Sequence, residues 1–183
     1  ISGDWASKGW PLVTGHAQLH GVRAQVRGLN SPVEVVSANV VVHEERVDVQ
    51  NLTATAAATW HGNLSIARPC LATGNCSVVF NLRTAELSAA ALNKLLNPAM
   101  AKGSWYRIFS VGNGPKPYLM QAHATGKVAI DTLILGRTNC EHFTSDVRLD
   151  SGVASLAGYK ADVIGGSIIG NLRADFNGKN TNY

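Results

Sequence analysis

The chain has 183 residues, room for one well-filled domain and too few for separate cofactor and substrate lobes. With 45% apolar and only 15% charged residues it lies far from the composition of disordered chains, which cannot bury enough apolar surface to offset their conformational entropy. The 16 Lys and Arg against 12 Asp and Glu give +4, yet the basic residues are scattered singly, so nucleic acid is not a favoured partner. Residues 1–183 therefore read as a single β-rich module. Because the chain begins at Ile1 and holds neither a signal peptide nor an 18-residue apolar stretch, it reads as a fragment of a longer protein.

Most of the sequence has period two. Val22, Ala24 and Val26 alternate with Arg23, Gln25 and Arg27. A break at Asn30-Ser31-Pro32 follows, and Val33 to Val42 is rich enough in β-branched residues to predict a central strand buried on both faces. Beyond the charged tip Glu44-Glu45-Arg46, Val47 and Val49 alternate with Asp48 and Gln50, and Trp60, Leu64 and Ile66 alternate with His61, Asn63 and Ser65. Cys70 and Cys76 flank a turn-forming stretch with Gly74 and Asn75, so a small-loop disulfide in an oxidising compartment fits them, as do two reduced thiols. A metal site would need Cys140 and His142, or His16 and His20, as further ligands, and their spacing does not favour one.

One short helix is predicted, from about Ala85 or Ser88 to Leu96, with Leu87, Ala91 and Leu95 recurring every four residues and Asn97-Pro98 as the stop. Its apolar stripe, with Leu92, Leu95 and Leu96, is expected to plug or cap an open apolar side of the sheet. Residues 102–117 read as an irregular connection carrying Trp105 and Tyr106. The clearest amphipathic strand comes next: Phe143, Ser145, Val147 and Leu149 face one way, and Thr144, Asp146, Arg148 and Asp150 the other, before the turn signal Ser151-Gly152. Gly165-Gly166 reads as a second hairpin turn. Segment 37–64 overlays 145–172 without a gap, with Gly62-Asn63-Leu64 on Gly170-Asn171-Leu172; only four positions are identical, a number that two amphipathic β segments can reach by chance, so an internal duplication is suggested.

Catalytic signatures are not favoured. No Gly-x-Ser-x-Gly elbow presents a nucleophile, and Gly165-Gly-Ser167-Ile-Ile-Gly170 lies within apparent strands. No helix follows those glycines to make a dinucleotide site, so no cofactor is expected. Glu44, Glu45, Asp146, Asp150 and Asp162 read as solvated carboxylates on strand tips or a polar face. Trp5, Trp10, Trp60 and Trp105 fit rim and core positions alike, and sugar stacking is the minor alternative.

The stretches Trp60-His-Gly-Asn-Leu-Ser-Ile-Ala-Arg-Pro-Cys70, Leu-Asn-Lys-Leu-Leu-Asn-Pro98 and Ser145-Asp-Val-Arg-Leu-Asp-Ser-Gly152, with Gly165-Gly-Ser-Ile-Ile-Gly-Asn-Leu-Arg-Ala174, resemble the C-terminal region of bacterial AsmA-like proteins. The likeness covers about two thirds of the chain, and its motifs are strand and turn patterns rather than reactive groups. It implies a curved antiparallel sheet, groove-like or partly closed, in the periplasm, belonging to a parent protein anchored in the inner membrane through a segment outside these residues. It also implies a non-enzymatic role in outer-membrane biogenesis or phospholipid transport. The side chains expected to face phospholipid or another acyl-chain lipid are Val22, Ala24, Val26, Val47, Val49, Trp60, Leu64 and Ile66, with Leu92, Leu95 and Leu96 from the helix and Phe143, Val147 and Leu149 from the later strand. The alternative expectation is an extracellular or periplasmic β-domain that binds protein or glycan through its loops.

Overall fold

The structure, a computed structural model, describes residues 14–26, 29–67, 77–96 and 123–175. They form one mixed sheet of nine strands in chain order, with β1 (Gly15–Ala24) at one edge followed by β2 (Val33–Val42), β3 (Arg46–Ala56) and β4 (Ala58–Ala67). After β5 (Ser77–Ser88) comes the helix α1 (Ala89–Leu96), and the sheet continues with β6 (His123–Leu135), β7 (Thr138–Asp150), β8 (Val153–Val163) and β9 (Gly166–Asp175). The sheet does not close, because β1 and β9 are not paired with each other. No described helix is long and apolar enough to cross a membrane.

The mainly β architecture with one short helix agrees with the alternating pattern, and four details correct it. β5 continues to Ser88, so the helix starts at Ala89, and Ala85 and Leu87 belong to the strand. β5 and β6 run parallel while every other pair is antiparallel. A parallel pair cannot be joined by a hairpin, and the long connection between Ser88 and His123 supplies the crossover. β2 is not central but second from the edge, with only Ala38 fully buried. The last turn is also one residue earlier than Gly165-Gly166: Ile164 and Gly165 form it, both with positive φ (48° and 76°).

The helix α1 contacts β5 and β6, and its Ala89 and Leu95 are buried. Its last turn is held by the loop between β1 and β2. The Asn30 backbone N–H donates to the Leu95 carbonyl (2.9 Å) and its side-chain amide donates to the Lys94 carbonyl (2.7 Å). These are two of the carbonyls that a helix C-terminus leaves without an internal partner. The helix thus sits at the end of the sheet that carries the β1–β2 loop.

The two halves of the sheet repeat one local device. β4 and β9 each have ten residues, and each carries Gly-Asn-Leu, at 62–64 and at 170–172. The Asn63 Oδ1 accepts the backbone N–H of Asn51 (φ 51°) at 3.0 Å, and the Asn171 Oδ1 accepts that of Gly158 (φ 56°) at 2.7 Å. Both donors lie where the preceding strand slips its register, between Val49 and Leu52 in β3 and between Leu156 and Tyr159 in β8. An extra residue leaves its amide unpaired in the ladder, and the neighbouring asparagine satisfies it. Segments 37–64 and 145–172 therefore carry the same kind of bulge and cap, although the capped amide lies twelve residues before Asn63 and thirteen before Asn171, one place out of step with the gapless overlay.

Candidate apolar binding face

Register sorts the side chains by face, because residues directly opposite each other in paired strands project to the same side. Starting at Ala17, successive partners are Val40, Val49, Leu64 and Phe80 on β2 to β5. The line continues through Gly126, Val147, Leu156 and Leu172 on β6 to β9. One uncharged line thus crosses all nine strands, a span of about 38 Å at the usual strand spacing of about 4.8 Å. A second line runs beside it from Gly15 through Val42, Val47, Ile66 and Val78. It ends with Ala124, Leu149, Ala154 and Ala174. Apart from Ala17 and Gly15, which are exposed, and Ala174, which is buried, the residues of both lines are half-buried.

The opposite face is polar. Asp48, Ser65, Val79 and Thr125 lie in one row, continued by Arg148, Ser155 and Arg173. The adjoining row, Asn63, Asn81, Lys127 and Asp146, has no apolar member until Ala157. Lys127 donates to Asp146 across β6 and β7 at 2.7 Å, and Arg148 donates to Asp150 at 3.1 Å. The side chain of His142 meets Asp162 at 2.9 Å, and that of His123 meets Asp150 at 2.9 Å. The hydrogen bond to Asp162 is the main cause holding the His142 imidazole above its ordinary pKa, with the charges of Asp162, Glu141 and Asp131 adding to it. Hydrogen bonds from Arg148 and Ser151 hold the Asp150 carboxyl below the ordinary carboxylate range. The carboxylates at 146, 150 and 162 thus have cationic or imidazole partners on the surface, and no two of them converge.

The residues expected to face lipid fall as follows. Val47, Val49, Leu64, Ile66, Val147 and Leu149 all lie on the two apolar lines. Val22 and Trp60 belong to a shorter row with Val35 and Ala54, and the Trp60 indole N–H donates to the Ala56 carbonyl at 3.2 Å. Ala24 opposes Val33 at the end of β1, and Val26 is half-buried beyond the strand. Phe143 shares a row with Ile130 and Thr84 and stacks on Tyr159 (centroids 6.4 Å apart, planes 17° apart). On α1, Leu92 is half-buried and Leu95 buried, while the side chain of Leu96 lies outside the described residues. Cys70, Cys76, Trp5, Trp10, Trp105 and Tyr106 also lie outside them. Cys140 is a free, buried thiol whose pKa burial pushes up.

The expected set omits the middle of the face. Phe80, Leu82, Val128, Leu156 and Leu172 line it as fully as the residues named from sequence. The alternation Val78-x-Phe80-x-Leu82 was the signal that could have found Phe80 and Leu82. Two shallow depressions lie over the polar rows rather than the apolar ones, one over β3 to β5 with Asp48, Asn63, Ser65 and Asn81, and one over β5 to β8 with Thr125, Lys127, Asp146 and Arg148. No cluster of three or more His, Cys, Asp or Glu able to hold a metal occurs among the described residues. No family model, curated protein or solved structure matches the chain.

Proposed function

We propose that this chain is a non-catalytic module of an AsmA-like cell-envelope protein, and that phospholipid, or another acyl-chain lipid, travels along the apolar face of its sheet. The observation that carries the reading is the uncharged line from Ala17 to Leu172, which crosses every strand without a polar side chain. A soluble monomer rarely exposes more than a few hundred Å2 of contiguous apolar surface, so such a face calls for a covering. Acyl chains supply one without directional chemistry. Each methylene removed from water contributes about 0.8 kcal/mol, so a dozen recover on the order of 10 kcal/mol. A path that binds by area and holds its ligand at no single point suits movement along the sheet, in the periplasm, within a parent protein anchored in the inner membrane.

The paired replacement Val49→Asp and Val147→Asp tests the reading. Both side chains are half-buried members of the central line, and they sit on strands in different halves of the sheet. The double variant is expected to lose lipid from organic extracts of the purified protein while keeping the circular dichroism of the parent. Unchanged lipid content in a folded variant would refute the reading.

A further inference from the structure

β9 occupies the place in the second half that β4 occupies in the first: equal length, the same Gly-Asn-Leu, and the same asparagine cap on a bulged amide of the preceding strand. One difference remains. The far edge of β4 carries β5, antiparallel, with Leu64 opposite Phe80 and Ile66 opposite Val78. The far edge of β9 carries no strand among the described residues.

Natural sheet edges are commonly guarded by shortness, Pro, Lys or a local irregularity that twists the ladder away. β1 has such a device: Gly21, at φ 62°, drops out of the ladder between His20 and Val22. β9 has ten residues with neither Pro nor Lys, and it leaves Ile168 and Ile169 45% and 69% exposed. At its entrance Ile164 is 91% exposed and held at φ 48°, an arrangement that costs stability in a β-branched residue.

We propose that the outer edge of β9 accepts an extended polypeptide strand, added antiparallel in the register that β5 takes on β4. The partner is defined by chemistry. The residues opposite Gly170, Leu172 and Ala174 join the apolar face, so they are apolar, as Leu82, Phe80 and Val78 are opposite Gly62, Leu64 and Ile66. The residues between them face the solvated side, where β5 carries Val79 and Asn81, and need not be apolar. Main-chain hydrogen bonds supply the affinity and the alternate side chains the selectivity, as in other strand-addition interfaces. The added strand lengthens the apolar lines by one member. This inference does not depend on the lipid reading, because strand pairing requires only the edge and its register.

The test titrates the 15N-labelled protein with a synthetic peptide of the Ser77–Ser88 sequence carrying a nitroxide at its N-terminus. Amide shifts confined to residues 166–175, with paramagnetic broadening strongest near Ala174, are expected from the antiparallel register. The same peptide with Phe80→Asp is expected to bind at least tenfold more weakly. Broadening strongest near Gly166, equal perturbation of β1, undiminished binding by the Phe80→Asp peptide, or no shift in β9 at millimolar peptide would each overturn the proposal.

Discussion

The Phe80 ring lies against Gly126 on the neighbouring parallel strand, so close that a Cβ built on Gly126 would stand 2.6 Å from two of the ring carbons. This contact falls in the middle of the apolar line, at the parallel pair that joins the two halves. Glycine in a strand interior ordinarily weakens it, and a cross-strand aromatic ring that covers the bare backbone offsets the loss. The replacement Gly126→Val should cost more than the ~1–3 kcal/mol usual for overpacking, because its Cβ would run into the Phe80 main-chain carbonyl as well as the ring, and a backbone cannot turn aside. Chemical denaturation will read the loss. The added change Phe80→Ala removes only the ring's share of the clash and leaves the Phe80 carbonyl in place, so it is expected to restore only the smaller part of the loss.

The matching caps of Asn63 and Asn171 give a second prediction. Each replacement by alanine leaves a bulged N–H without its acceptor and should cost roughly 0.5–1.5 kcal/mol. Five strand spacings separate β4 from β9, about 24 Å. Effects at such distances add, so the double variant should lose the sum of the single losses in denaturant midpoints. A markedly larger loss would mean that the two bulges are coupled through the sheet.

The turn between β8 and β9 stores strain that can be removed. Both Ile164 and Gly165 have positive φ, the geometry of a two-residue hairpin that favours Asn-Gly. Replacing Ile164 by Asn is expected to raise stability by about 1 kcal/mol, because the isoleucine is exposed and makes no compensating burial. Thermal melting decides the sign, and a lower melting temperature would show that Ile164 is held by contacts of its own.

Two titrations act in opposite directions. The imidazole of His142 is raised by Asp162, so what the pair contributes is fully present below the unfolded value of about 6.5 and is lost as pH rises through the higher folded value. Asp48 is lowered chiefly by the hydrogen bond from Ser65, with burial opposing and Arg46 and His43 assisting. Its contribution is present above the unfolded value of about 3.9 and is lost as pH falls through the lower folded value. Both side chains of the His142 pair are largely exposed (75% and 58%), so the effect on stability is small and the shift itself is the better observable. NMR titration should place the His142 pKa above the ordinary histidine value, and Asp162→Asn should remove the main part of that elevation, leaving only what Glu141 and Asp131 contribute.

Much of the fold was legible because period two survives in the sequence. The alternations at 47–50, 60–66 and 143–150 became β3, β4 and β7, and their apolar members share one face. The helix boundary was not legible. Ala85 and Leu87 fit a spacing of four as well as they fit a strand, and pairing of β5 with Ile130 to Ile134 overrides their local preference. The strand order was equally hidden, since the parallel β5–β6 pair depends on a long crossover that no short motif announces. The value of Gly62-Asn63-Leu64 and Gly170-Asn171-Leu172 also came only from space. Four identical positions in the overlay carry little by themselves, whereas two asparagines that each cap a bulge in the preceding strand share one physical task.

The lipid path depends on the sidedness of the sheet, and photo-crosslinking at adjacent positions measures it directly. Leu64 and Val147 lie on the apolar line, and their chain neighbours Asn63 and Asp146 face the other way. With a benzophenone amino acid at each position in turn, and the protein expressed in the periplasm of a Gram-negative bacterium, mass spectrometry should find phospholipid adducts at 64 and 147 and none at 63 and 146. Adducts at all four positions, or at none, would contradict it.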